Sequence, residues 1–111
     1  ALGADATAGK PALVAQNALL EGADGIAVDR RGDVWVAANE LNAIVKVTPS
    51  GQVQPVARNG VAGPLEFPSG LVFVGDTAYI SNFDTPRRDN LDAGANTARG
   101  GIGASVARIG G

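Results

Sequence analysis

The sequence predicts an all-β protein built from two copies of a four-stranded antiparallel unit. Short runs rich in Val, Ile and other β-forming residues alternate with turns of Gly, Asn and Asp, which is typical of strands joined by hairpins. No run has the length and spacing of an amphipathic helix. The same pattern of runs returns after about 45 residues, as expected of a repeat protein with one sheet per repeat.

The first unit is clearest over residues 22–51. Three apolar runs predict three short strands, at 26–28, 34–38 and 44–47. Polar turns separate these runs, and the Pro-Ser-Gly sequence at 49–51 ends the third. An antiparallel meander of this size cannot bury both of its faces alone, so we expect it to pack against another sheet.

The segments around this meander are less regular. Residues 1–10 are small and polar and form a lead-in. Residues 11–20 have the Ala and Leu content of a helix, yet they occupy the place that 52–58 holds before the next unit. We therefore predict a strand over Pro11–Leu20. We also predict that 52–58 forms an edge strand, since Pro55 cannot donate to a ladder.

The pattern restarts near Phe67. Residues 69–74 repeat 24–29 at an offset of 45, and residues 77–81 repeat 33–37 at an offset of 44. These two matches predict the first two strands of a second unit.

The next strand of the second unit is predicted at 105–109, after a long insertion. We therefore treat residues 1–111 as a single domain with internal boundaries. These are a lead-in with an outer strand at 1–21, a first unit at 22–60, and a second unit at 61–111 with the insertion at 82–103.

Composition excludes several function classes. The net charge is −2, which argues against a nucleic-acid partner. The chain has neither Cys nor His, which removes disulfides, His- or Cys-ligated metals and Ser-His-Asp catalysis. No apolar run approaches the roughly 20 residues that span a bilayer, so we expect no membrane partner. The first residues lack an initiator Met and a signal peptide, so we read them as a mature or cut end and assign no compartment.

Three short motifs together resemble a known group of proteins. They are Asp-Gly-Ile-Ala-Val-Asp at 24–29, Gly-Asp-Val-Trp-Val-Ala at 32–37, and Asn-Ala-Ile-Val-Lys-Val at 42–47, followed by Pro-Ser-Gly. This series is similar to the blade signature of NHL-repeat β-propellers, which is shared by the regucalcin/gluconolactonase (SMP-type) family. The resemblance extends over residues 22–109, and it is more specific for a propeller blade than for any one activity.

The resemblance implies a six-bladed β-propeller that this chain only partly supplies. A propeller closes with about 4–8 blades, and the sequence contains two. Two blades leave two open faces. This chain resembles the C-terminal part of such a propeller. The expected partners are therefore the remainder of the propeller or further copies of the same chain.

Asp24 is the residue to which the resemblance gives a chemical role. In this family a divalent cation lies at the mouth of the central tunnel, held by carboxylates and amides just before a Gly at the start of innermost strands. Asp24-Gly25 matches that position, which implies Asp24 as a ligand, with calcium as the expected ion, and as the general base. The alternative is that Asp-Gly is a turn that caps the backbone. Ser69, at the matching place in the second unit, is a poor ligand.

The insertion offers a second candidate site. Long polar loops on β scaffolds often form ligand rims, and the candidates here are Asp84, Arg87, Arg88, Asp89 and Asn90. The alternative is a solvated loop whose charges pair with one another.

Aromatic and amide residues in the strands have structural interpretations. We expect Trp35 and Tyr79, which occupy matching positions, to pack between blades. We expect Asn39, Asn42 and Asn82 to be turn residues.

Two functions therefore remain open. One is a metal-dependent lactone or ester hydrolase that acts on a small-molecule substrate. This chain would be the C-terminal part of that hydrolase, and we expect it to be inactive in isolation. The other is a non-catalytic NHL-like binding or structural module. Fold alone does not separate them.

Overall fold

The computed structural model describes residues 3–59, 63–83 and 104–110. These residues form two antiparallel sheets, one with strand order β1-β2-β3-β4 and the other with order β5-β6-β7. The strands are β1 Ala23–Val28, β2 Val34–Ala38, β3 Ala43–Val47, β4 Val53–Arg58, β5 Pro68–Val74, β6 Thr77–Asn82 and β7 Ser105–Ile109. The described helical structure is limited to two short 3₁₀ turns, Ala18–Leu20 and Asn39–Leu41, and neither is long or apolar enough to cross a membrane. The prediction of an all-β chain is confirmed.

Local sequence explains where the strands begin and end. The first sheet is a meander in which each strand pairs with the next along the chain. Its β1–β2 and β3–β4 turns place Gly32 at φ 86° and Gly51 at φ 85°, a region in which a side chain is strained. Asn42 occupies the left-handed region at φ 47°, which Asn tolerates better than most residues, and so ends the turn before β3. As predicted, β4 is an edge strand, and Pro55 lies next to a register shift.

One prediction about strands is wrong. Residues 11–17 form no strand, and they continue into the 3₁₀ turn at Ala18–Leu20, which begins where Asn17 Oδ1 accepts a hydrogen bond from the Leu19 N–H at 2.9 Å. A strand needs a neighbour with which to pair, and no described strand pairs with this segment. The second sheet has three described strands, and no described strand pairs with the outer side of β7. A fourth strand for the second unit stays a prediction.

The main core lies between the two sheets. Its fully buried members come from both sheets and from the connection between them: Ala37, Ile44, Leu65, Ala78 and Ile80. Trp35 extends this core, since its ring meets that of Phe73 edge-on with the centroids 5.1 Å apart. The expectation that Trp35 packs between the units is confirmed. Tyr79 does not lie between these two sheets: its side chain is on the opposite face of the second sheet and is 38% exposed.

A smaller core lies on the other side of the first sheet. It consists of Ala38, Ala43 and Val45. Leu19 and Leu20 from the 3₁₀ turn pack against it. The segment before β1 therefore covers part of a face that the second sheet does not reach.

The sheets are stacked front to back. Each sheet has a front face. In the first sheet it is the side that carries Trp35, Ala37, Ile44 and Lys46. In the second sheet it is the side that carries the matching residues Tyr79, Ser81, Val106 and Arg108. The back faces are the opposite sides, which carry Ile26, Val28 and Val36 in the first sheet and the matching Leu71, Phe73 and Ile80 in the second. The front face of the first sheet packs on the back face of the second. Each sheet thus keeps one face of a different kind for another contact.

Candidate functional site at the start of strand β1

Asp24 lies near the start of β1, an edge strand of the first sheet, and its side chain is exposed. The nearest polar group from another element is the side chain of Asn39, whose Nδ2 donates to Asp24 Oδ2 at 3.4 Å. The backbone N–H of Asn39 also donates to the Gly22 carbonyl at 3.0 Å, which fixes the end of β2 beside the start of β1. A carboxylate and an amide are therefore held side by side at this corner.

The matching strand of the second sheet approaches this corner very closely. A Cβ on Gly25 would lie 2.4 Å from the Ser69 carbonyl oxygen and 2.6 Å from the Gly70 Cα. Only Gly allows two backbones to come so near, so Gly25 sets the spacing between β1 and β5. Asp24 is consequently beside the start of β5 as well as at the edge of its own sheet.

The second sheet offers hydroxyl groups where the first offers a carboxylate. Ser69, which matches Asp24, has its Oγ 3.1 Å from the Ser81 Oγ. The two hydroxyls thus bond to each other. The described residues contain no group of three or more Asp, Glu, His or Cys that could hold a metal ion. Asp24 and Asn39 are in direct contact at this corner, and Glu40 lies close to Gly22 beside them.

This donor set suits calcium in kind but not in number. Calcium binds carboxylate and amide oxygens, and it takes about 6–8 oxygen ligands. Asp24 and Asn39 supply a minority of them. A complete site needs oxygens from residues beyond this corner.

The predicted ligand rim cannot be placed. Asp84, Arg87, Arg88, Asp89 and Asn90 all lie outside the described residues. Their role stays a prediction.

Asn42 and Asn82 do more than the predicted turn role. The Phe67 N–H donates to Asn42 Oδ1 at 2.8 Å, and the Glu66 N–H donates to Asn82 Oδ1 at 3.0 Å. Asn82 also donates through Nδ2 to the Pro64 carbonyl and to Ser105 Oγ, both at 3.0 Å. Both amides are nearly inaccessible to solvent.

Asn59 holds the same connection between the sheets. Its side chain bonds both the N–H and the carbonyl of Leu65. The three amides therefore satisfy backbone groups of the partly buried connection between the sheets, and we assign them structural roles. Sequence reasoning missed this because the bonded residues lie up to 25 positions away along the chain.

A charged cleft of about 240 Å³ lies between the sheets at the opposite end of the strands from Asp24. Asp29 accepts hydrogen bonds there from Trp35 Nε1 at 2.9 Å and from the N–H groups of Arg31 and Asp33. Desolvation acts to raise the pKa of Asp29, but these hydrogen bonds outweigh it and the pKa is lowered.

Two ion pairs lie around this cleft. Lys46 Nζ lies 3.0 Å from Asp33 Oδ2, and Arg30 forms an exposed pair with Asp76 at 3.4 Å. Since Asp29, Asp33 and Asp76 already have partners, we assign the cleft a structural role in holding the turns in place.

Comparisons with known proteins supply no family assignment. A scan against protein-family models found no match, and a search of curated proteins found none either.

Proposed function

We propose that this chain supplies two adjacent blades of a β-propeller and that Asp24 is one ligand of a divalent cation at the mouth of its central tunnel. Three features support a propeller. The sheets stack front to back, the strands β1 and β5 run beside each other at the inner edge, and both units follow one sequence pattern. In a propeller the first strands of neighbouring blades surround the axis, which is where Asp24 would then lie.

The proposed reaction is hydrolysis of a lactone or ester. The observation that carries it is the exposed Asp24 carboxylate beside the Asn39 amide, next to the close approach of the two inner strands. A bound cation would polarise the substrate carbonyl and lower the pKa of water. Asp24 would help to hold that cation and accept the proton of the attacking water, while Asn39 would orient the carboxylate.

Calcium titration by calorimetry tests the ligand role. We expect weak binding in the millimolar range, since the corner provides few of the needed oxygens, and we expect Asp24→Asn to abolish it. Asp76→Asn is the matched control, because it removes an exposed carboxylate from a turn at the far end of the second sheet. Binding that survives in Asp24→Asn, or no binding to the wild type, would contradict the proposal. Lactone hydrolysis that depends on added calcium and is lost in Asp24→Asn would support the reaction.

A non-catalytic binding or structural propeller is the second candidate. The described residues contain no group of three or more Asp, Glu, His or Cys that could hold a metal ion, and serines that bond to each other occupy the place matching Asp24, which favours this candidate. In that case the chain would neither bind calcium nor hydrolyse lactones, and its function would depend on surfaces alone.

A further inference from the structure

The front face of the second sheet is apolar and is not covered by the described residues. Val72 is 57% exposed, Tyr79 is 38% exposed and Val106 is 70% exposed. Val72 and Tyr79 are directly paired, and Val106 pairs with Ser81 two positions along β6, so the three side chains form one patch. A patch of this kind on a sheet face is a typical contact surface.

The first sheet shows what such a face binds. Its front face has the same positions filled by Ala27, Trp35 and Ile44, and it is covered by the back face of the second sheet. Val74 stands where the first sheet has Asp29, whereas Ser81 stands where the first sheet has the buried Ala37. The open front face is therefore largely apolar, like the one already buried.

The complementary surface is present on the same chain. The back face of the first sheet matches the buried back face of the second, yet its Ile26 and Val28 are 64% and 60% exposed. One chain thus carries an exposed front face, a back face that is exposed along β1, and a completed example of the contact between such faces.

We propose that the front face of the second sheet binds the back face of the first sheet of a second copy of this chain. This inference rests on the stacking of the sheets and is independent of any cation at Asp24. Because the two surfaces are different, the contact is head-to-tail and continues from copy to copy until a ring closes or a filament grows.

The segment before β1 fits this contact. Leu20 lies 45 residues before Leu65, and each residue packs behind its own sheet. Leu65 is a buried part of the contact between the sheets, 2% exposed. Leu20 can take the same part between copies, and the segment before β1 leaves Ile26 and Val28 of the back face exposed for docking.

One feature of the internal contact is not repeated. The Arg30–Asp76 pair joins the two sheets, but the matching positions for a contact between copies are Gly75 and Arg31. Both partners of the pair are about three-quarters exposed, so its loss removes little. Apolar burial is the main attraction in the proposed contact.

Thiol crosslinking tests the geometry directly. The Trp35–Phe73 contact predicts that Tyr79 of one copy meets Val28 of the next. Because the chain has no Cys, variants Tyr79→Cys and Val28→Cys each carry a single thiol. We expect a short thiol-specific crosslinker to join the two variants when they are mixed. Leu13→Cys replaces Val28→Cys in the control, since Leu13 is 80% exposed and belongs to neither face.

Two results would overturn the proposal. Equal crosslinking of Tyr79→Cys to the Leu13→Cys control would mean random collision. Efficient crosslinking of Tyr79→Cys to itself, with none to Val28→Cys, would mean that two front faces meet in a symmetric dimer.

Sedimentation velocity provides a second measurement. We expect the wild type to assemble as its concentration rises and Val106→Asp to shift this assembly to concentrations roughly tenfold higher or more, because a charge would be buried without a partner. Val106 is exposed, so its replacement leaves the internal core intact. Leu13→Asp adds the same charge elsewhere and should assemble like the wild type. A wild type that is monomeric throughout, or a Val106→Asp variant that assembles as readily, would refute the docking surface.

Discussion

Replacing Trp35 by Ala should weaken the contact between the two sheets. The Trp35 ring packs edge-on against Phe73 of the other sheet, and its Nε1 donates to Asp29 Oδ2 at 2.9 Å. Loss of a fully buried Trp costs about 3–5 kcal/mol. Trp35 is half-buried, so we expect Trp35→Ala to lower the free energy of unfolding by about 2–3 kcal/mol.

Two further variants separate the parts of this loss. Trp35→Phe keeps an aromatic ring and removes the donor to Asp29, which should cost about 1–2 kcal/mol because the acceptor is charged and retains its backbone donors. A double-mutant cycle of Trp35→Ala with Phe73→Leu should give a coupling energy of about 0.5–1.5 kcal/mol, the range for aromatic pairs.

Urea unfolding of dilute protein, followed by far-UV circular dichroism, provides these energies. Fluorescence is unsuitable because Trp35 is the only Trp in the sequence. Tyr79→Ala is the control, since Tyr79 has the matching position but lies outside the contact between the sheets and should cost less. A loss below about 1 kcal/mol for Trp35→Ala, or a coupling energy of zero, would show that these two rings do not hold the sheets together.

Two other predictions concern pH and backbone spacing. The folded-state pKa of Asp29 lies below the ordinary pKa of an Asp side chain, so the stabilisation it gives is present above the ordinary pKa and is lost as the pH falls through the lower folded value. Asp29→Asn should therefore flatten the acid limb of a plot of unfolding free energy against pH, and an unchanged limb would contradict this role. Gly25→Ala should destabilise the chain strongly, since its Cβ would overlap the backbone at Ser69 and Gly70, whereas Gly110→Ala, with open space around it, should be neutral. Thermal unfolding of the two variants measures this difference, and equal stability would contradict the close approach of β1 to β5 at Gly25.

The sequence was sufficient to locate strands that pair with near neighbours. The predicted second strand of the first unit coincides with β2, Val34–Ala38, because a short β-branched run between two turns has few alternatives. The prediction of a strand over residues 11–20 was wrong for the opposite reason. Its composition allows a strand or a helix, and the choice depends on whether another strand is available to pair with it, which local pattern does not reveal.

The direction of the side chains was harder to predict than the strands. Trp35 and Tyr79 occupy matching places, yet one is packed between the sheets and the other is exposed. Front-to-back stacking explains the difference, since only the front face of the first sheet has a sheet in front of it. For the candidate site, the sequence singled out Asp24 but gave no reason to pair it with Asn39, which is 15 positions away.

The two proposals meet at the inner edge of the sheets. Gly25 lies against Ser69 and Gly70 within one chain, so docking of a second copy would bring its own Asp24 and Gly25 against Gly70 of the first. In a closed ring every copy would then direct one Asp24 toward a common axis, and the carboxylates that a single chain lacks would come from its neighbours. Calcium affinity should therefore rise with protein concentration and fall in Val106→Asp, although that variant retains Asp24. The contrary result would be calcium binding that Asp24→Asn abolishes and Val106→Asp does not change. It would mean that the remaining oxygen ligands come from the same chain and that the cation site does not depend on the docking surface.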